Sequence, residues 1–167
     1  SFLVGAYQYL LNYHIDYWTK DKNVKKALKE DKIYQVAEND YKLTIEEKQN
    51  ILINNIYGVD IDPQAVEVTK LSLYLKLLEN EGKEAEGFLF KHSDFKLLPS
   101  LDKNIKCGNS LIGSDFYKDK DLSLFGNDEI RKVNVFDWDK EFPDVFKNGG
   151  FDCVIGNPPY IGFHGFK

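Results

Sequence analysis

The residues best suited to chemistry close the chain, in Phe151-Asp152-Cys153-Val154-Ile155-Gly156-Asn157-Pro158-Pro159-Tyr160. An apolar stretch, expected to be a buried strand over 151–155, runs into a turn. Two successive prolines stiffen that turn and remove its amide hydrogens. The side-chain oxygen of Asn157 and the carbonyl of Pro158 can then stand as two fixed acceptors, with Pro159 holding the turn. A planar base with an exocyclic amine has two hydrogens to donate. Holding both draws the nitrogen lone pair out of conjugation, so the amine becomes a better nucleophile toward a methyl sulfonium. Charge develops on the nitrogen and its proton leaves later, so no strong general base is needed. Tyr160 can stack on the face of the base. Such a site needs the base outside the helix stack, so base flipping is implied. The plain alternative is a local Asx or proline turn with Tyr160 packed in the core. The strand before the turn, and an acid-ended strand upstream, favour the ligand-holding reading.

That upstream strand is Ile56-Tyr57-Gly58-Val59-Asp60, followed by Ile61-Asp62-Pro63. A carboxylate at the carboxyl end of a parallel strand stands where ligands bind in doubly wound folds. Asp60 can accept both hydroxyls of a ribose. Asp62 fits a helix cap, with Pro63 at the first helical position. Alone, the pattern also suits a nicotinamide-dependent dehydrogenase. A third segment, Cys107-Gly108-Asn109-Ser110-Leu111-Ile112, follows the short strand at 105–107. Gly108 permits a tight turn, and Asn109 could meet an adenine edge or bond its own backbone.

Elements must position these residues. A helix rich in Leu, Tyr and Trp is expected over 1–18. Residues 21–42 are charged and read as mostly helical, with a partly exposed apolar face. Thr44-Ile45-Glu46-Glu47 has the form of a capping box and opens a helix toward Asn54. The next helix runs from Pro63 to about Leu78, with Ala65, Val66, Val68, Leu71, Tyr74, Leu75 and Leu78 on a broad apolar face. A strand is possible over 88–90. Residues 114–137 read as a polar insertion, and 138–146 as a short helix broken near Pro143. Strands alternating with helices imply an α/β domain with a mostly parallel sheet.

The 167 residues suffice for one domain with a core, and 43% hydrophobic with 29% charged residues is a globular composition. No apolar run is long enough to span a bilayer. The two cysteines, Cys107 and Cys153, are expected as buried free thiols, and with the three dispersed histidines they offer no metal-ligand spacing. A net charge of −5 is unfavourable for a self-sufficient DNA binder, because phosphate neutralisation dominates such affinity. The opening Ser1-Phe2-Leu3-Val4-Gly5-Ala6-Tyr7 reads as the middle of a domain.

Taken together, these segments resemble the gamma class of adenine-N6 DNA methyltransferases, and within it the Eco57I-like branch of type IIG restriction-modification enzymes. Ser1-Phe2-Leu3 resembles the tail of motif I, whose glycine-rich part is not in this sequence. Gly58-Val59-Asp60-Ile61-Asp62-Pro63 resembles motif II, Cys107 to Ile112 the region of motif III, and Asn157-Pro158-Pro159-Tyr160 motif IV. Many relatives carry an acid where Asn109 stands, so Asn109 can keep an adenine contact but not the charge. The resemblance implies a partial Rossmann-like S-adenosylmethionine-dependent methyltransferase fold without its first strand, with 1–167 a fragment of the catalytic domain. It implies Asp60, Ile61, Asn109 and Ser110 at the cofactor, and Asn157, Pro158, Pro159 and Tyr160 at the target base. Double-stranded DNA would be gripped by domains outside this sequence, in the cytoplasm of a bacterium, and unpaired sheet edges would favour self-association. No nuclease core is expected, since Pro143-Asp144 lacks a following acid-x-Lys pair. Three other readings stay open: an RNA or protein-amide methyltransferase, a nicotinamide-dependent oxidoreductase, and an inert structural fragment.

Overall fold

A computed structural model describes residues 2–20, 22–81, 98–118 and 133–157. Helix α1 spans Phe2–Trp18, and α2 spans Val24–Lys29. Strands β1 (Ile33–Ala37) and β2 (Asp40–Leu43) form an antiparallel hairpin. Then come α3 (Ile45–Asn55), β3 (Gly58–Asp60) and α4 (Pro63–Leu77). Strand β4 (Ile105–Cys107) runs parallel to β3. A 3-10 turn covers Ser114–Tyr117, and two short helices follow, α5 (Trp138–Glu141) and α6 (Pro143–Lys147).

The caps follow from the sequence. The Thr44 hydroxyl accepts from the Glu47 amide at 3.2 Å and opens α3. The Glu47 carboxylate does not complete the box. It turns instead to Lys32 Nζ at 2.8 Å and Trp18 Nε1 at 3.3 Å, tying α3 to α1 and to the start of the hairpin. Asp62 caps α4 through the Gln64 amide at 2.8 Å, with Pro63 opening the helix. Pro143 breaks the last helical stretch into α5 and α6, because proline lacks the amide that would continue the ladder.

Tyr7 and Leu11 of α1, Ile51 and Leu52 of α3, and Val66, Leu73 and Leu77 of α4 form the core. Ile33 and Leu43 of the hairpin join it, with Leu101 and Ile105. Leu3 of α1 lies against Gly58, where a Cβ would come within 2.5 Å of its methyl group. Strand and helix approach closely there because the strand carries no side chain. Buried Asn104 donates to the carbonyls of Ile53 and Ile56 at 2.8 and 3.0 Å, fixing the entry to β4 beside the end of α3.

Four expectations need correction. Much of 21–42 is hairpin rather than helix: β-branched and aromatic residues fill β1, and Asn39 takes a left-handed φ of 60° in the turn. The buried face of α4 is Val66, Leu73 and Leu77, while Val68, Leu71 and Leu75 point to solvent. Apolar residues nearly surround this helix, so periodicity alone could not choose the face. Residues 151–155 form no strand; Val154 is 80% exposed. Among the described residues their backbone finds no ladder partner, and a strand without a neighbour leaves its amides unpaired. Both cysteines are free, as expected, but exposed. Cys107 shares the buried side of β4 with Ile105, yet it sits at the strand's end, beyond the core.

The described residues thus form a mixed α/β arrangement with one parallel and one antiparallel strand pair. None of their helices is long and apolar enough to cross a membrane. The expected strand at 88–90 lies outside the described residues.

Candidate functional site

The parallel register sets the site. Gly58 pairs with Ile105, Val59 with Lys106 and Asp60 with Cys107, so Asp60 and Cys107 are level at the carboxyl ends. The Gly108 amide donates to the Asp60 carbonyl at 2.9 Å. The loop bearing Asn109 and Ser110 therefore begins just beyond the end of β4, beside Asp60 at the end of β3.

Asp60 is exposed. Its Oδ1 accepts from the Asp62 amide at 2.9 Å, and no described residue bonds Oδ2. One carboxylate oxygen thus orients the side chain while the other stays available. Ile61 is an apolar side chain, 52% exposed. Its carbonyl lies 3.5 Å from the Cys107 thiol.

Asn109 makes the local bond its residue type favours, with Oδ1 accepting from the Leu111 amide at 3.1 Å. Its side-chain Nδ2 bonds no described residue. Ser110 is exposed, and its carbonyl accepts from Trp138 Nε1 at 3.0 Å. Residues 134–136 clip the loop from the other side. The Asn109 amide donates to the Asn134 carbonyl at 2.6 Å, and the Phe136 amide donates to the Ile112 carbonyl at 2.8 Å. Asn109 and Val135 form a parallel bridge. Phe136 is buried, so the expected polar insertion at 114–137 ends in a structured, partly apolar segment. Asp137 takes both Lys140 Nζ at 2.6 Å and the Ser114 amide at 2.7 Å. The lysine first, then the Ser114 amide, holds its carboxyl down at about 2.

Gly108 is where conformation matters most. A Cβ there would sit 2.4 to 2.9 Å from the Phe136 side chain. The ring occupies the space that any other residue would need.

The structure brings Asp60, Ile61, Asn109 and Ser110 to one end of the strand pair. Asn157 is exposed at the end of the irregular segment that Phe151 opens. Pro158, Pro159 and Tyr160 lie outside the described residues. Phe151 packs edge-on against Tyr57, Trp138, Phe142 and Phe146, at centroid distances of 5.5 to 5.8 Å. Sequence reasoning passed over this cluster. The signal was present as Phe136-x-Trp138-x3-Phe142-x3-Phe146, but helical spacing of aromatics usually means plain core. Among the described residues no group of three or more His, Cys, Asp or Glu could hold a metal ion.

Parallel strands with a carboxylate and a polar loop at their carboxyl ends define the class, a mixed α/β protein with its candidate site at a strand terminus. The chain belongs to the Eco57I restriction-modification methylase family, whose description matches residues 54–167. It is similar to the type II restriction enzyme and methyltransferase RM.Eco57I of Escherichia coli, at 36% identity over 96% of this chain and 13% of that protein. A putative type II restriction enzyme and methyltransferase of Methanocaldococcus jannaschii, RM.MjaORFECS2P, is 51% identical over 40% of this chain and 5% of its own length. The adenine-specific methyltransferase PglX of Streptomyces coelicolor is 28% identical over 70% of this chain and 9% of its length. The chain therefore spans a small part of each relative. No solved structure matches it significantly.

Proposed function

We propose that the chain is part of the catalytic domain of a restriction-modification enzyme that methylates the N6 amine of adenine in duplex DNA. S-adenosylmethionine would supply the methyl group, carried on a sulfonium. The observation that carries this reading is the level placement of Asp60 and the Asn109–Ser110 loop at the ends of two parallel strands, in a chain of a methylase family. The donor set fits such a ligand. Asp60 keeps one carboxylate oxygen for ribose hydroxyls. Ile61 offers an apolar surface to a purine face, and Asn109 and Ser110 offer polar groups to its edge. Asn157 and the Pro158 carbonyl would hold the target amine, Pro159 would fix their turn, and Tyr160 would stack on the flipped base.

Family membership is also what favours methyl transfer over a nicotinamide cofactor at Asp60, since either ligand would use the same carboxylate. The acidic net charge, −5, is unfavourable for phosphate contacts and supports a grip on DNA made by other parts of the protein.

The test is transfer of a labelled methyl group to DNA by the protein that carries this chain. Asn157→Ala should lower kcat about 100-fold or more while cofactor affinity holds, because it removes an acceptor used on the reacting amine. Full methylation by Asn157→Ala would sink the catalytic assignment.

A further inference from the structure

We propose that Trp138 is a positioning residue that couples the cofactor-side loop to the segment leading to the base-side turn. The inference rests on the methyl-transfer reading and adds a residue to it. Two separate atom sets of one side chain face the two halves of the site. The indole Nε1–H donates to the Ser110 carbonyl at 3.0 Å, the longest-range side-chain bond made to the Asn109–Ser110 loop. The ring meets Phe151 edge-on at 5.7 Å, at the start of the segment that ends in Asn157.

Its surroundings fix the ring in that pose. Phe136 packs edge-on at 5.3 Å, and Phe142 lies tilted at 5.8 Å. Phe136 itself fills the space over Gly108, at the root of the same loop. Phe142 is buried and carries Lys106 over its ring at 5.2 Å, which anchors it to β4. Displacement of Phe151 would therefore be transmitted through edge-on and tilted ring contacts, and displacement of Ser110 through one hydrogen bond. An aromatic pair contributes packing without directing a polar group. The indole N–H contributes direction, because a carbonyl oxygen accepts within a limited range of angles. The two contributions can be separated by substitution.

Trp138→Phe keeps an aromatic ring and removes the N–H. Phe142→Leu removes a ring from the same cluster and leaves the Ser110 bond in place. Trp138→Met repeats the loss of the donor with a flexible apolar side chain, should the phenylalanine leave too large a void. In the protein that carries this chain, four quantities would be measured. They are S-adenosylmethionine affinity by calorimetry, kcat and KM for methyl transfer to DNA, and the melting temperature. Trp138→Phe should weaken cofactor binding about fivefold, the worth of one neutral hydrogen bond, at a melting temperature above that of Phe142→Leu. Phe142→Leu should melt lower, with cofactor affinity near that of the wild type while it remains folded. Trp138 variants that bind cofactor as the wild type does overturn the proposal. So does a loss of affinity that tracks melting temperature equally in the Phe142 and Trp138 variants. A folded wild-type protein that binds no S-adenosylmethionine fails at the earlier step and removes the methyl-transfer reading itself.

Discussion

Two acids two residues apart, Asp60 and Asp62, illustrate how residue type and position divide labour. Asp62 is spent on structure, since its carboxylate caps α4 through the Gln64 amide. Asp60 is oriented by one bond, and its second carboxylate oxygen bonds no described residue. Asp62→Ala should therefore cost about 1 kcal/mol of stability, the usual worth of an N-cap. Asp60→Ala should change stability by less than about 0.5 kcal/mol, as exposed positions commonly do. It should also weaken S-adenosylmethionine binding about tenfold, since hydrogen bonds to a charged group are worth more than neutral ones. Denaturant titration and calorimetry on the same two variants give both readings. Equal destabilisation by the two would mark Asp60 as a loop staple instead. The cap was legible in the sequence, because Asp-Pro at a helix start is a cap signature, whereas the ligand role proposed for Asp60 rests on an acid at a strand end. Asn109 was legible only as an alternative between turn and ligand. The local bond to Leu111 establishes the turn and leaves the side-chain Nδ2 open, so the two readings coexist.

Between elements, the junction that matters most is Gly108 against Phe136. Residues 134–136 lie along the Asn109 loop, and they do so closely only because position 108 lacks a side chain. Gly108→Ala should destabilise the protein by about 1 to 3 kcal/mol, the range for forcing a group into a filled space. The alanine methyl would meet Phe136, whose burial leaves it little room to give. Chemical denaturation measures the loss, and an alanine variant of wild-type stability would show that the ring moves freely. Helices α1, α3 and α4, and strands β3 and β4, could be foreseen from caps, prolines and apolar spacing. The hairpin could not, because its Lys, Glu and Asp content masks a short alternation and its turn rests on the φ of one asparagine. Residues 151–155 were misread for the opposite reason. Their composition is that of a strand, but strand formation depends on a neighbour, and composition does not say whether one is present.

At the scale of the whole molecule, four elements converge on one buried polar network well away from the strand ends. Tyr7 of α1 donates its hydroxyl to the Lys48 carbonyl of α3 at 2.9 Å. Lys48 pairs with Glu81, just past α4, and Tyr34 of β1 reaches the same carboxylate at 3.5 Å. Glu81 is only 2% exposed, and its charge adds to burial in pushing the Tyr7 phenol above its ordinary range. Burying a carboxylate is costly unless its partner stays in place. Lys48→Met should therefore cost about 3 to 5 kcal/mol, because it leaves Glu81 buried without a counter-charge. Lys48→Met combined with Glu81→Leu should recover much of that loss, since a pair of apolar side chains needs no compensation. The network joins the helices and the hairpin but touches neither Asp60 nor the Asn109 loop. While folded, both variants should bind S-adenosylmethionine as the wild type does. Denaturation midpoints measured beside cofactor affinity separate the two effects. A double variant no more stable than Lys48→Met would mean that the ion pair specifies how these elements dock, beyond neutralising one another's charge.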